Sequence, residues 1–227
     1  MTTTTVPTAR ARTAAATGAL VTRLQKDYLN DRPHAVAALA RMRRGAGREF
    51  AQAPDLWGLI DTGPLHDTPE DTGRPLNETE LTRAENAVHV AVTLWALHQQ
   101  SRPRGMHQPD RREKPTGLGA AVRRLMPPGD VAEPVLKRLI RAGTAPDLPT
   151  LAQRLRDIVL LLRREDIALD YTLLAAQLFH WQQPGGRDEV RRAWGRSFHA
   201  YRAPQGTAAD EKTGIDAETN DTDKDAS

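Results

Sequence analysis

The chain has 227 residues, of which 39% are hydrophobic and only 4% aromatic, and its formal net charge is +3 at neutral pH. The absence of cysteine excludes disulfide bonds, thiol nucleophiles and thiolate metal sites, and it is consistent with a reducing compartment such as the cytoplasm. No apolar segment of the kind found in secretory signals follows Met1, so we expect a cytoplasmic protein.

Charge is distributed unevenly along the chain. Residues 203–227 carry seven carboxylates and two lysines, a net charge of −5, which leaves +8 on residues 1–202. A basic body favours a polyanionic partner such as nucleic acid, although an arginine-rich solvated surface gives the same composition. We expect the acidic tail to be disordered, and to act either as a screen over the basic body or only as a solubilising extension.

Residues 1–17 form the first segment of the chain and are rich in threonine and alanine. They show no apolar periodicity, so we expect a disordered arm. Apolar residues then recur at helical spacing from Leu20 to Tyr28, which predicts a first helix over residues 18–29.

A second helix is predicted next. Asp31 is the expected capping residue, Pro33 lies in the first turn, and Gly45 is typical of the position just past a helix end. The predicted apolar face includes Val36 and Leu39. On the exposed side, helical spacing predicts a basic stripe of Arg41, Arg44 and Arg48, with Arg43 at its edge.

Two long loops flank the central part of the chain. Residues 62–76 contain several prolines and glycines, and residues 102–115 are basic without apolar periodicity. Loops of this length are usually functional or mobile, and we expect the second to separate lobes of about 18–101 and 116–202. Before the first loop, residues 54–61 predict a short helix that packs its apolar side chains inward.

The helix that we expect at the centre of the fold lies between these loops. The sequence ENAVHVAVTLWALHQQS, from Glu85 to Ser101, has no charged side chain after its first residue and is apolar on nearly all sides, as is typical of a buried helix. Asn77 and Glu80 have the spacing of a capping box, so the helix is predicted to span residues 78–100. Its apolar part is too short to cross a bilayer.

Five further helices are predicted in the C-terminal half. The expected capping residues are Thr116, Asp130, Asp147 and Asp170. The helix after Asp130 is expected to bury Val135, Leu136, Leu139 and Ile140. Apolar residues step by three and four through the helix after Asp147, and the last helix, over residues 187–201, places Val190, Trp194 and Phe198 on one face. No segment has the pattern of a strand. We therefore predict an all-α bundle of eight or nine helices in two packed lobes.

The sequence lacks the common catalytic and cofactor motifs. Its seven histidines form neither an HExxH pair nor a Glu-x-x-His pair, no Gly-rich loop has the phosphate-cradling pattern, and no GxSxG nucleophile motif occurs. His89 and His98, on the central helix, are expected to be core or interface residues. We expect no enzymatic activity, metal, cofactor or small-molecule substrate, and no membrane contact.

Several sequence blocks occur in a defined order between Leu20 and Arg202. They are AALARMRRG, ENAVHVAVTLWALHQQS, GLGAAVRRLM, VLKRLIRAG followed by LPTLAQRLRDIVLLLRR, LDYTLLAAQLFHWQ, and VRRAWGRSFHAYR. As an ordered set they resemble the CasB family, the small subunits of the type I-E CRISPR surveillance complex Cascade. The N-terminal arm, the loop 62–76 and the acidic tail lie outside this resemblance.

The resemblance implies a small, two-lobed helical protein without catalytic activity. Its partners would be the backbone and large subunits of Cascade, a second copy of itself, crRNA and target DNA. In that setting, basic surfaces would contact the displaced single strand and hold the R-loop open, while a recruited nuclease-helicase cuts the DNA.

A surface that follows a displaced strand needs phosphate neutralisation more than base readout, because the strand has no fixed shape or pairing. Arginine suits this task, since its planar guanidinium binds phosphate oxygens in pairs and keeps its charge. From their positions in the resembling blocks, the predicted nucleic-acid-binding residues are Arg43, Arg44, Arg48, Arg123, Arg124, Lys137, Arg138, Arg141, Arg191, Arg192 and Arg196.

Two other functions fit the same pattern. A helical DNA-binding regulator would need a helix-turn-helix with a polar recognition helix, and no predicted helix pair has that spacing. A purely structural subunit would direct the arginine faces at acidic partner subunits. Co-purification with a small RNA and several partner subunits would favour the surveillance-complex function.

Overall fold

A computed structural model of the chain describes residues 7–67 and 74–201. These residues form nine α-helices and no strand beyond an isolated bridge between His107 and Leu169, which confirms the all-α fold. The helices are α1 (Ala9–Leu29), α2 (Pro33–Met42), α3 (Gly63–His66), α4 (Glu78–Gln99), α5 (Leu118–Arg123), α6 (Glu133–Gly143), α7 (Leu148–Arg164), α8 (Tyr171–Trp181) and α9 (Gly186–Ala200). Short 3₁₀ turns cover Arg43–Gly45, Phe50–Gln52 and Pro54–Leu56.

Helix α4 lies at the centre, as predicted. The Asn77 side chain accepts from the backbone N–H of Glu80, and the Glu80 carboxylate accepts from that of Asn77, so the capping box is confirmed. From Ala87 to Gln99 every side chain is buried. Within the described part of the chain, no helix is long and apolar enough to cross a membrane.

Helix α1 corrects the prediction of a disordered arm over residues 1–17. It begins at Ala9, where the Thr8 side chain caps it by accepting from the N–H of Ala11. Thr13 and Thr17 are buried, and each hydroxyl donates to the carbonyl four residues earlier, at 2.8 and 2.9 Å. Threonine hydroxyls satisfied in this way can lie inside a helical core, and a search for apolar periodicity overlooks them. Residues 1–6 and the predicted acidic tail lie outside the described residues.

The start and the apolar face of α2 also differ from the prediction. Asp31 adopts a positive φ of 53° before the helix, and Arg32 is the N-cap residue, while Pro33 occupies the first turn as predicted. Val36, expected inward, is 43% exposed. The buried residues of this helix are Ala35, Ala38, Leu39 and Met42.

Two of the four remaining helix caps were predicted correctly. The Asp147 carboxylate accepts from the N–H of Thr150 at 2.7 Å, and the Asp170 carboxylate accepts from that of Leu173 at 2.9 Å. Short acidic side chains at these positions satisfy backbone donors that the first helical turn leaves open.

The caps expected at Thr116 and Asp130 were wrong. The N-cap residues of α5 and α6 are Gly117 and Ala132, and neither makes a side-chain capping bond. Thr116 is buried and its hydroxyl donates to the carbonyl oxygen of Gln108 at 2.8 Å. Its side chain therefore makes a tertiary hydrogen bond and does not cap α5. Ile140 of α6, expected in the core, is 53% exposed.

Residues 102–115, expected to be functional or mobile, pack against the beginning of α8. The N–H of Asp110 donates to the Asp170 carboxylate at 2.8 Å, and the Asp110 carboxylate accepts from the N–H groups of Thr116 and Gly117 at 2.6 and 2.7 Å. The buried side chains of this segment are Met106 and His107. These bonds tie the segment to the beginnings of α5 and α8.

A single buried apolar cluster extends through the predicted lobes of residues 18–101 and 116–202. Helix α4 packs against α1 and α2 from its own half and against α7 and α8 from the other, and α1 also packs against α8. The segment 102–115 therefore does not separate two independent cores.

Helices α5 and α9 pack closely against each other, because Gly119 carries no side chain. A Cβ added at Gly119 would lie 2.0 Å from the carbonyl oxygen of Trp194 and 2.6 Å from the nitrogen of Phe198. The Ser197 hydroxyl accepts from the N–H of Ala120 at 3.1 Å. This contact brings the arginines at the end of α5 next to the exposed face of α9.

Candidate nucleic-acid interface

The eleven predicted basic residues lie at four places in the fold, and none of them is buried. Arg43, Arg44 and Arg48 follow α2; Arg123 and Arg124 end α5; Lys137, Arg138 and Arg141 lie on α6; and Arg191, Arg192 and Arg196 lie on α9. Their role in binding nucleic acid stays a prediction.

The first group does not form the helical stripe that its spacing predicted, because α2 ends at Met42 and Arg48 lies beyond the following turn. The loop nevertheless folds back and brings two arginines to Asp55. Arg41 Nη2 donates to the Asp55 carbonyl oxygen at 3.0 Å, and Arg48 Nη1 lies 3.5 Å from its carboxylate. The two guanidinium groups are therefore neighbours because the loop folds back, which helical spacing does not predict.

A basic groove of about 500 Å³ lies between α6 and α7. Its charged residues are Lys137, Arg138, Arg141 and Arg154, against one carboxylate, that of Asp157. Arg154 also donates to the carbonyl oxygen of Arg141, which ties the two helices together. Four cations around one carboxylate give this groove a positive potential that attracts anions.

Two further cavities hold the α5 and α9 residues. Arg123 and Arg124 line a cavity of about 670 Å³ with Glu165. Arg192 and Arg196 line one of about 320 Å³ with Glu189 and with Arg10 of α1. Helix α1 thus supplies Arg10 as a cation next to Arg192 and Arg196. The prediction of a disordered arm over residues 1–17 did not include this contact.

Arg191 connects α9 to α6. A Cβ added at Gly143, the last residue of α6, would lie 3.2 Å from the Arg191 Cγ, so the stem of this arginine rests on the end of that helix. Its guanidinium pairs with Asp188 at 2.7 Å.

Acidic neighbours neutralise only part of the predicted set. Among the described residues, ion pairs occur between Arg48 and Asp55, Lys137 and Glu133, and Arg191 and Asp188. The other predicted residues form no ion pair with the part of the chain that the structure describes. All three pairs are solvent-exposed, and such pairs are weak enough for a phosphate to replace the carboxylate.

A further arginine cluster lies where α4 and α7 end, and two of its members, Arg102 and Arg163, are outside the predicted set. Arg163 Nε donates to the Gln100 carbonyl oxygen at 3.1 Å, and Arg102 pairs with Asp166 at 2.9 Å. Burial, together with the charges of Arg102 and Arg43, lowers the pKa of Arg163 from its usual value. Arg43 and Arg102 therefore lie close enough to Arg163 for their charges to act on it, and an anion near Arg163 would relieve this repulsion.

Comparison with known proteins places the chain in a family. The family described as CRISPR-associated protein Cse2 matches residues 38–199, which is more than half of the chain. The chain belongs to the Cse2 family. This membership confirms the resemblance to CasB proteins that the ordered sequence blocks predicted.

Solved structures agree with this assignment. CasB from Thermobifida fusca is 48% identical to this Cse2-family chain, with a TM-score of 0.72 over 83% of the chain and 98% of CasB. A chain of a CRISPR RNA-guided surveillance complex is 21% identical, with a TM-score of 0.56 over 82% of this chain and 95% of the other, a likeness of fold. No curated protein sequence matches the chain.

The eleven predicted residues all lie inside the segment that matches the Cse2 family, whereas α1 precedes it. Arg10, which faces the α9 pair, is thus a feature of this chain that the family match does not cover. Among the described residues, no group of three or more His, Cys, Asp or Glu side chains could hold a metal ion. The arginine groups therefore stay the candidate site of this Cse2-family chain.

Proposed function

We propose that this Cse2-family protein is a non-catalytic subunit of a CRISPR Cascade surveillance complex. It binds the displaced DNA strand through its arginine-rich faces and so stabilises the R-loop. The family match over residues 38–199 is the observation that carries this proposal. The solved chain that belongs to a CRISPR RNA-guided surveillance complex supports the assembly, because 95% of its length aligns with this fold.

The physical chemistry of the basic faces supports contact with a flexible polyanion. The α6/α7 groove and the cluster of Arg43, Arg102 and Arg163 present charges that carboxylates do not balance fully. A single strand can adapt to separated phosphate sites because it has no fixed helical shape. Proposed partners are the backbone and large subunits, a second copy of this chain, crRNA and target DNA.

A second candidate is a structural role in which the same faces meet acidic surfaces of partner subunits. The α6/α7 groove favours it, because Leu160 lines the groove and is among the exposed large apolar side chains, as is Ile140 on α6. Apolar side chains beside charged ones are typical of the centre and rim of a protein interface.

Reconstitution of the complex distinguishes the two candidates. The chain should co-purify with backbone and large subunits and a crRNA, and on target DNA it should crosslink to the displaced strand. An assembled complex without such crosslinks would support the structural role alone. Failure to join the complex would contradict both candidates.

A further inference from the structure

Trp57 is an exposed aromatic side chain beside the first arginine group. Predicted to face inward with the other apolar side chains of residues 54–61, Trp57 is 53% exposed, whereas Leu56 and Ile60 are buried. The other three tryptophans of the chain, Trp95, Trp181 and Trp194, are buried. The exposed ring of Trp57 is therefore available to a binding partner at the surface.

The indole is held in place from within the chain. Its Nε1 donates to the carbonyl oxygen of Phe50 at 3.1 Å, and its ring lies 5.8 Å from the Phe50 ring at 33°. Phe50 in turn makes an edge contact with His89 on the central helix, with ring centroids 5.7 Å apart. Because the single donor of Trp57 is already used, the ring offers a partner its apolar surface and not a hydrogen bond.

The backbone around the indole is anchored as well. Ala53 and Leu56 are completely buried on the N-terminal side of Trp57, and Gln153 of α7 donates to the carbonyl oxygen of Gly47 at 2.8 Å. A partner would therefore meet a surface that is already ordered, and binding would cost little conformational entropy.

Two arginines are held near Trp57 through Asp55. Arg41 and Arg48 both bond to Asp55, two residues before Trp57, and residues 41–57 contain four arginines against two carboxylates. A protein partner could also use an exposed tryptophan. An aromatic face next to guanidinium groups, with no free polar group on the ring, matches an unpaired base with its phosphate more closely.

We propose that Trp57 is a stacking platform for an unpaired nucleotide base, with Arg41 and Arg48 placed to bind the adjacent phosphates. The contact reads the aromatic face common to all bases, so it holds a single strand without sequence preference. It adds a base contact to a surface whose other predicted contacts are to phosphate. This inference rests on the proposed binding of a single strand.

The test measures binding of the full chain to a labelled single-stranded oligothymidine and to an abasic oligomer of equal length. Stacking on an aromatic side chain contributes about 1–3 kcal/mol per base, so Trp57→Ala should weaken oligothymidine binding by about tenfold. Binding of the abasic oligomer should not change, and neither should the salt dependence. Trp57→Phe should retain most of the affinity, and thermal stability should be preserved because the side chain is exposed.

Tryptophan fluorescence gives an independent readout. Stacking should quench the emission of Trp57 when oligothymidine is added to the wild-type chain, and the quenching should disappear in Trp57→Phe because the remaining three tryptophans are buried. The abasic oligomer should not quench either protein.

The outcomes separate the two proposals. If the wild-type chain binds oligothymidine with salt dependence but Trp57→Ala binds equally well, the stacking platform is wrong and single-strand binding stands. If Trp57→Ala instead loses only assembly with partner subunits, the indole is a protein contact. If the wild-type chain binds neither oligomer, both the platform and direct single-strand binding are overturned.

Discussion

His89 and His98 lie on the buried face of α4, where water cannot stabilise a charged imidazole. His89 Nε2 donates to the Arg48 carbonyl oxygen at 3.1 Å, and His98 Nδ1 lies 2.8 Å from the Tyr171 hydroxyl. Burial lowers the pKa of His89 to about 4 and that of His98 to about 3. Both were expected to be core or interface residues, and their burial confirms the core position.

These shifted pKa values predict that acid destabilises the fold. In the unfolded chain each imidazole binds a proton below about pH 6.5, whereas in the folded chain His89 and His98 stay neutral down to about 4 and 3. Stability is thus fully present above pH 6.5 and declines as the pH falls, by about 2 kcal/mol per histidine at pH 5. Urea unfolding at pH 7 and pH 5 measures this difference.

His89→Gln tests the assignment, because glutamine can still donate to the Arg48 carbonyl but does not titrate. The unfolding free energy falls between pH 7 and pH 5, and this fall should be about 2 kcal/mol smaller in the variant than in the wild-type chain. An unchanged pH dependence in this variant would show that His89 is not the group responsible.

At the scale of elements, the pairing of α5 with α9 depends on one glycine. Gly119→Ala would place a methyl group against the backbone of Trp194 and Phe198, which has no flexible side chain to move aside. We expect a loss of about 1–3 kcal/mol in the free energy of unfolding, measured by chemical denaturation.

Gly195 is the matched control, since it lies in α9 and nothing approaches its added Cβ within 4 Å. Gly195→Ala should raise stability by up to about 1 kcal/mol, because alanine is the better helix former. Equal effects of the two substitutions would contradict the close packing of α5 on α9.

Sequence reasoning predicted the helices well where periodicity and capping agreed, as in α4, α7 and α8. It missed the first half of α1, because its buried threonines satisfy their hydroxyls inside the helix. It also placed Val36 and Ile140 inward, although both are exposed. Local pattern identifies a helix, but the neighbouring elements decide which side of it faces the core.

At the scale of the whole molecule, the grouping of arginines could not be read from spacing. Arg43, Arg102 and Arg163 come together from three distant segments, and Arg41 and Arg48 meet because a loop folds back. The sequence predicted that arginines would occupy the exposed faces, and all eleven selected residues are accessible. Which of them share a surface depends on loop paths and on helix contacts that local pattern does not contain.

The salt dependence of single-strand binding tests the central claim most directly. The α6 variant, Arg138→Ala/Arg141→Ala, removes two charges that have no acidic partner among the described residues. The control variant, Arg74→Ala/Arg164→Ala, removes two charges that are paired with Glu80 and Glu165. Each lost phosphate contact should lower the slope of log K against log salt by about 0.7, so the α6 variant should lose about 1.4 and the control much less. Equal slopes in the wild-type chain and the α6 variant would contradict the assignment of this face to the phosphate backbone.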